Sequence, residues 1–222
     1  MKTKSRSLQQ IVESQVQQWH LRKKEPSEKQ ILPVITLSRE PGSGGHIIAE
    51  MLASQLGFEL FDKEIIQHIA ESAHVQRQFL ETLNEKGANV LEEWISSLVN
   101  EHHLWPDEYL KHLMTLVGVI GKHGGAVIVG RGANFILPPE HRLRVRIIAP
   151  MPFRIELVSQ RFSIPREEAK RRIIRTESEQ HAFIRKYFNA DVAAPHHYDL
   201  ILNIGALDME AAVRAIRGAL GR

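Results

Sequence analysis

Cysteine is absent from the 222-residue chain, which excludes disulfides and thiolate metal sites and favours a cytoplasmic home. No apolar run is long enough to span a membrane. Residues 1–30 carry charges throughout and lack the apolar stretch and small-residue cleavage site of a secretory signal. A strong charge imbalance is also missing. The net charge of +3 suits anionic small molecules and gives no argument for nucleic acid. No His-Glu-x-x-His array occurs among the 12 histidines, and adjacent pairs such as His102-His103 and His196-His197 do not easily face one site, so no structural metal is expected. Gly42-Ser43-Gly44 lacks the nucleophile-elbow pattern, which leaves a Ser-His-Asp hydrolase unsupported. Hydrophobic residues still make up 43%, enough for a sizeable core in one domain with insertions.

The most informative stretch is 34–62. Val34-Ile35-Thr36-Leu37 reads as a buried strand, and Pro41-Gly42-Ser43-Gly44-Gly45 as a glycine-rich turn. Ile47, Ile48, Met51, Leu52 and Leu56 follow at helical spacing. Phe58 to Phe61 is a second strand, with Asp62 at its end. A strand that feeds a helix through glycines turns backbone N–H groups into a concave loop. The helix N-terminus adds partial positive charge, so the turn suits a phosphate; a tight connection with no ligand is the alternative. Against a full Walker loop, the lysine position is Gly45, and neither His46 nor Ile47 after it carries the magnesium-binding hydroxyl. The backbone cradle is kept, while the side-chain cation and the metal ligand are not.

Ser38-Arg39-Glu40-Pro41-Gly42-Ser43-Gly44-Gly45 resembles the opening of the cytidylate kinase-like proteins, a divergent branch of the nucleoside monophosphate kinases among the P-loop kinases. Val127-Ile128-Val129-Gly130-Arg131-Gly132 resembles the family's strand followed by Gly-Arg. Tyr198 to Asn203 resembles its last strand. The resemblance runs in order over roughly residues 31–220. It implies a three-layer α/β P-loop kinase-like fold with a mostly parallel sheet, a helical acceptor region and a basic lid. The implied boundaries are a basic amphipathic helical extension over 1–30 and the kinase-like domain over 31–222, with the acceptor region at 62–122 and the lid at 151–190.

The rest of the chain supplies the elements. Leu8, Ile11, Val12, Val16 and Trp19 share one helical stripe, which fits a helix packed on the domain or on a second subunit. This makes the N-terminal helix the candidate homo-oligomer contact; a basic membrane-surface helix is the alternative. Glu25-Pro26-Ser27-Glu28 breaks it. Residues 62–122 read as helices, with Asp62 as a cap and stripes at Ile65 to Ala70, Leu91 to Leu98 and Leu110 to Ile120. Gly124-Gly125 precedes a buried strand over 126–129. Residues 143–149 alternate arginine with apolar residues and then turn apolar, as a strand entering the core does. Pro150 and Pro152 start a helix, Pro165 precedes a very basic one, and a strand over 198–203 leads to a helix capped by Asp208.

By resemblance, Gly42, Ser43, Gly44, Gly45 and His46 hold the donor phosphates of ATP, with Mg2+ bridging them. His46, Arg39 or a lid arginine would supply the charge that the missing lysine does not. Asp62 orients the acceptor or hydrated metal, Arg131 grips the acceptor phosphate, and Arg154 closes over the donor. Arg39, Lys63 and Glu177 belong to the substrate side. Arg161, Arg166, Lys170, Arg171, Arg172 and Arg175 form the lid cluster, although Glu167 and Glu168 can pair with Arg171 and Arg172 on a solvated helix face. Lys63, His68, Gly132 and Gln180 depart from the typical cytidylate kinase pattern. The implied activity is ATP-dependent phosphoryl transfer to a nucleoside monophosphate or a related small acceptor. The alternative is a nucleotide-binding regulatory protein with weakened catalysis.

Overall fold

The computed structural model describes residues 8–23, 32–101, 104 and 106–221. The expected break at Glu25 to Glu28 and the pair His102-His103 lie outside these residues.

Five strands form one sheet: β1 (Val34–Arg39), β2 (Glu59–Phe61), β3 (Ala126–Val129), β4 (Arg142–Ile148) and β5 (Leu200–Asn203). Their order is β2-β3-β1-β4-β5, and every pairing is parallel. A parallel pair needs a crossover connection, usually through a helix, so helices cover both faces of such a sheet. The C-terminal strand ends then share one edge, where ligands lie in open α/β sheets.

The strand side chains alternate between two apolar layers. Ile35, Leu37, Val127 and Val145 meet α2 (Gly45–Leu56) and α10 (Met209–Ala219) through Ile48, Leu52, Val213 and Ile216. Asp208 caps α10 by accepting from Ala211 N–H at 2.6 Å. The opposite face buries Val34 and Ile128 beneath a larger helical layer. That layer contains α3 (Lys63–Glu71), α4 (Ala73–Glu81), α5 (Glu85–Glu101) and α6 (Glu108–His123). Three stripes were legible in this region, and four helices form. Ser72 both ends α3 and caps α4, so one continuous polar-apolar pattern divides in two.

The N-terminal helix α1 (Leu8–Lys23) spends its stripe on its own chain. Trp19 is 1% exposed, stacked on His123 at 4.0 Å and edge-on to Phe79 at 5.2 Å between ring centroids. No helix among the described residues is long and apolar enough to cross a membrane.

Beyond β3, Gly132 leads into a short helix, α7 (Ala133–Ile136), which no periodicity announced. The pair α8 (Met151–Phe162) and α9 (Arg166–Phe188) is joined by three residues and has its own small core of Val158, Ala169 and Ile173. Strand β4 holds an exception to the expected apolar turn. Arg146 is buried, and its Nη1 donates to Ser38 Oγ at 3.0 Å and to Tyr198 Oη at 3.4 Å. Strand β5 starts two residues later than expected, because Asp199 turns to accept from the Arg144 backbone and guanidinium.

Candidate active site

The glycine turn links the end of β1 to the start of α2. Glu40 N–H bonds to Ile147 O at 3.0 Å and extends the β1–β4 contact by one residue. Ser43 is fully buried and folds its hydroxyl back to Glu40 O at 2.8 Å, so it shapes the turn instead of facing a ligand. Gly42 and Gly44 have φ of 83° and 80°, in the left-handed region that favours glycine. A β-carbon at Gly42 would stand 2.8 Å from the Arg154 carbonyl oxygen. The N–H groups of Gly44, Gly45 and His46 find no acceptor among the described residues, and the Gly44 cap has no side chain to offer. Unspent donors at a helix start suit a polyphosphate.

This turn opens on a cleft of about 1010 Å³. Gly42, Gly44, Gly45, His46, Asp62 and Lys63 line it, with Arg161 and Arg172 arriving from α8 and α9. Asp62 caps α3, its Oδ1 accepting from Ile65 N–H at 2.9 Å. Its second oxygen has no hydrogen-bond partner among the described residues, and Glu64 lines the same cleft. Magnesium bound by phosphates and waters needs only one or two carboxylates, so this set fits such an ion although no cluster of three metal-ligating residues forms among the described residues.

The surroundings of His46 work against a positive charge on its ring. Arg161 Nη1 lies 2.7 Å from its Nδ1 and 2.6 Å from its Nε2. Burial, and then the Arg161 charge, hold the His46 pKa below the ordinary histidine range, with Glu50 opposing weakly. The neutral ring accepts from Arg161, and Arg161 is the cation at the mouth. Because the unfolded chain binds this proton more tightly, the residue's stability contribution is complete above the ordinary histidine pKa of about 6.5 and declines as pH falls through the lower folded value. An NMR titration of the ligand-free protein should place the His46 midpoint below that of a histidine in an unfolded peptide. A midpoint above it would return the positive charge to this ring.

A second cavity of about 290 Å³ lies beyond the end of β3. Arg131 is on its wall, with Nη2 donating to Gln67 Oε1 at 2.5 Å and the guanidinium 5.3 Å from the Phe183 ring centroid. Its backbone is left-handed at φ 53°, between Gly130 at 78° and Gly132 at 69°. Two buried donors on this wall, Arg131 Nε and Asn134 Nδ2, have no partner among the described residues. Ser38 adds a hydroxyl, backed by the buried Arg146. A wall rich in unspent donors suits an anion. Arg39, Lys63, Thr176 and Gln180 line both cavities.

Other residues expected at the site stand elsewhere. Arg154 lines neither cavity; it is 4% exposed beneath the glycine turn. Its Nε donates to Pro41 O at 2.8 Å and its Nη2 to Glu177 at 3.1 Å, while Nη1 lies 3.5 Å from Glu40. Glu177 is therefore occupied by Arg154 and lines neither cavity. Arg166 pairs with Glu156, and Arg175 with Glu179; neither arginine lines a cavity, although Glu179 stands on the wall of the smaller one. Thr176 and Phe183 were not among the expected site residues, and Gln180 stood out only as a departure from the family pattern, yet their spacing of four and three places the three on one helical face. Gln67 and Asn134 gave no such signal.

A model of the cytidylate kinase-like family matches residues 34–206. Cytidylate kinase from Ignicoccus hospitalis is 28% identical over 189 residues, covering 85% of this chain and 99% of that protein. Cytidylate kinase from Methanocaldococcus jannaschii is 26% identical over 192 residues, covering 84% and 97%. A solved structure of an uncharacterized protein from Eubacterium ventriosum superposes with a TM-score of 0.70 at 22% identity, covering 87% of this chain and 99% of that one, and shows the same fold. With the strand order, the glycine turn and the Gly-Arg segment at one sheet edge, the match over residues 34–206 settles the family: the chain belongs to the cytidylate kinase-like family.

Proposed function

We propose that the protein transfers a phosphoryl group from ATP to a nucleoside monophosphate or a closely related small phosphate acceptor. One observation carries this most: two cavities meet at a shared wall, one with unspent backbone donors at a helix start, the other with unspent side-chain donors around Arg131. Phosphoryl transfer needs two anions held end to end, and positioning with charge stabilisation does most of the work. Gly44 to His46 would bind the donor phosphates. When bound, magnesium would neutralise charge between those phosphates, with Asp62 and Glu64 nearest its waters. Arg131 and Asn134 would hold the acceptor phosphate, and Arg161 and Arg172 would cover the donor side.

Gly45, with no hydroxyl at His46 or Ile47 after it, favours a second reading, a nucleotide-binding regulatory protein with weakened turnover. Coupled detection of ADP across a panel of nucleoside monophosphates, alongside calorimetric binding of ATP, separates the two. Turnover with at least one acceptor supports the enzyme. ATP binding without turnover on any of them supports the regulator, and slow or narrow turnover is expected.

Arg131 gives a sharper test. Arg131→Ala should weaken monophosphate binding by about 10- to 150-fold, the loss of one charge-assisted contact of about 1.5–3 kcal/mol, and leave ATP binding much closer to the original. Arg131→Gly should lose the same affinity and melt no lower than Arg131→Ala, because glycine adopts the left-handed backbone without strain. Equal losses for both ligands would make Arg131 structural.

A further inference from the structure

Arg39 ends β1, and its side chain crosses from one cavity to the other. Its stem lies against the Cα of Gly45: a β-carbon there would stand 2.6 Å from Arg39 Cβ and 3.1 Å from Arg39 Cγ. Its guanidinium continues to the end of β3, where a β-carbon on Gly130 would stand 2.7 Å from Arg39 Nη1. Two glycines thus clear the path of one arginine. Arg39 is largely buried, and its guanidinium makes no hydrogen bond or ion pair with any described residue. Burial works against its charge and lowers its pKa from the ordinary arginine value, Glu64 and Asp62 favour the charge, and Arg131 opposes it. By contrast, Arg154 is held by Pro41 O and Glu177, and Arg161 has Nη1 on His46. Arg39 therefore presents a largely unspent planar donor set at the boundary between the cavities.

We infer that Arg39 is the cation that a lysine at position 45 supplies in a full phosphate loop, and that it contacts the phosphoryl group in transit. This rests on the phosphoryl-transfer reading above and names the residue that stabilises the step. In that step the bond from the terminal phosphorus to the bridging oxygen breaks, and its electron pair stays on the β-phosphate of ADP. A lone pair on an acceptor phosphate oxygen forms the new bond. Total charge is conserved, and with the acceptor fully ionised no proton has to move. Charge spreads over the three equatorial oxygens in between, and a guanidinium can donate to two of them at once. The same geometry explains why position 45 is glycine. A side chain at 45 and the Arg39 stem need the same volume, so the loop takes its cation from one place or the other. Arg39→Ala does not free that volume, since the close atom is Cβ. Arg39→Gly does.

The test compares the unaltered chain with Arg39→Gln, Arg39→Gly, Gly45→Lys and the double variant Arg39→Gly with Gly45→Lys. Each is read by thermal melting, by ATP and ADP affinity, and by kcat on the best acceptor. Arg39→Gln and Arg39→Gly should keep a folded transition, lose about 10²- to 10³-fold in kcat, and lose the preference for ATP over ADP. Gly45→Lys alone should melt lower and not gain activity. The double variant should recover at least about tenfold in kcat over Arg39→Gly, short of the full rate because the loop still lacks its magnesium-binding hydroxyl. Folded Arg39→Gln that keeps kcat within about threefold and an unchanged ATP-over-ADP preference overturns the assignment. If no acceptor turns over in the unaltered chain, the kinase reading fails by itself, and the ATP-over-ADP comparison still decides Arg39. Binding of neither nucleotide by the unaltered chain overturns both.

Discussion

Replacing Arg154 by alanine is expected to destabilise the protein by about 2–4 kcal/mol and to remove anion binding at the glycine turn. The residue is 4% exposed and ties together three segments distant in sequence: the turn through Pro41 O, β1's continuation through Glu40, and α9 through Glu177. Glu40 also accepts from Ala149 N–H at 3.0 Å, so the same carboxylate orients the chain leaving β4. Truncation would leave two partly enclosed carboxylates and a carbonyl without their donor. Breaking a buried pair costs about 3–5 kcal/mol, and the residual exposure of Glu40 and Glu177, 21% and 27%, admits water and lowers that figure. Arg154→Lys keeps the charge and loses the fork, so it should fall between the two. Chemical denaturation together with phosphate titration checks this. A fully stable alanine variant that fails only in catalysis would return Arg154 to the reacting groups.

Trp19→Ala should cost about 3–5 kcal/mol, the usual range for deleting a buried large aromatic. The indole is 1% exposed and packs on His123, Phe79 and, at 6.1 Å between centroids, Phe61. Those three come from α6, α4 and the end of β2, so the loss should be felt across the helical layer. Equilibrium denaturation gives the size, and sedimentation at matched concentrations gives the assembly state. A variant with unchanged stability and an altered assembly state would mean that the helix serves a second subunit.

What was legible in the sequence was local. Glycines at a helix start, Asp62 and Asp208 as caps, and apolar periodicities each depend on residues within a turn or two, and the structure repeats them closely. What was not legible was long-range. Arg154 matches a lid arginine in spacing, but its partners Glu40 and Glu177 are brought to it only by the sheet and by α9. Arg146 reads as a margin residue of β4, and Tyr198 and Ser38 make its burial tolerable from opposite ends of the fold. The role of Gly45 was legible only as a missing lysine. That the vacated volume belongs to the stem of Arg39 is a fact of strand-to-helix packing.

Helix α9 carries one further implication. It spans 23 residues, roughly 35 Å, without a break. Arg172 near its start faces the larger cleft, Thr176 and Gln180 touch both, and Phe183 and Ile184 wall the smaller one. Its first turns are gripped by α8 through Val158, Ala169 and Ile173, and its far end is anchored by Phe188 in the helical layer. If the rod moves as one piece, a tilt that brings Arg172 nearer the glycine turn also carries Phe183. The helix thus ties the lining of one chamber to that of the other, and a substitution at Thr176 or Gln180 reshapes both.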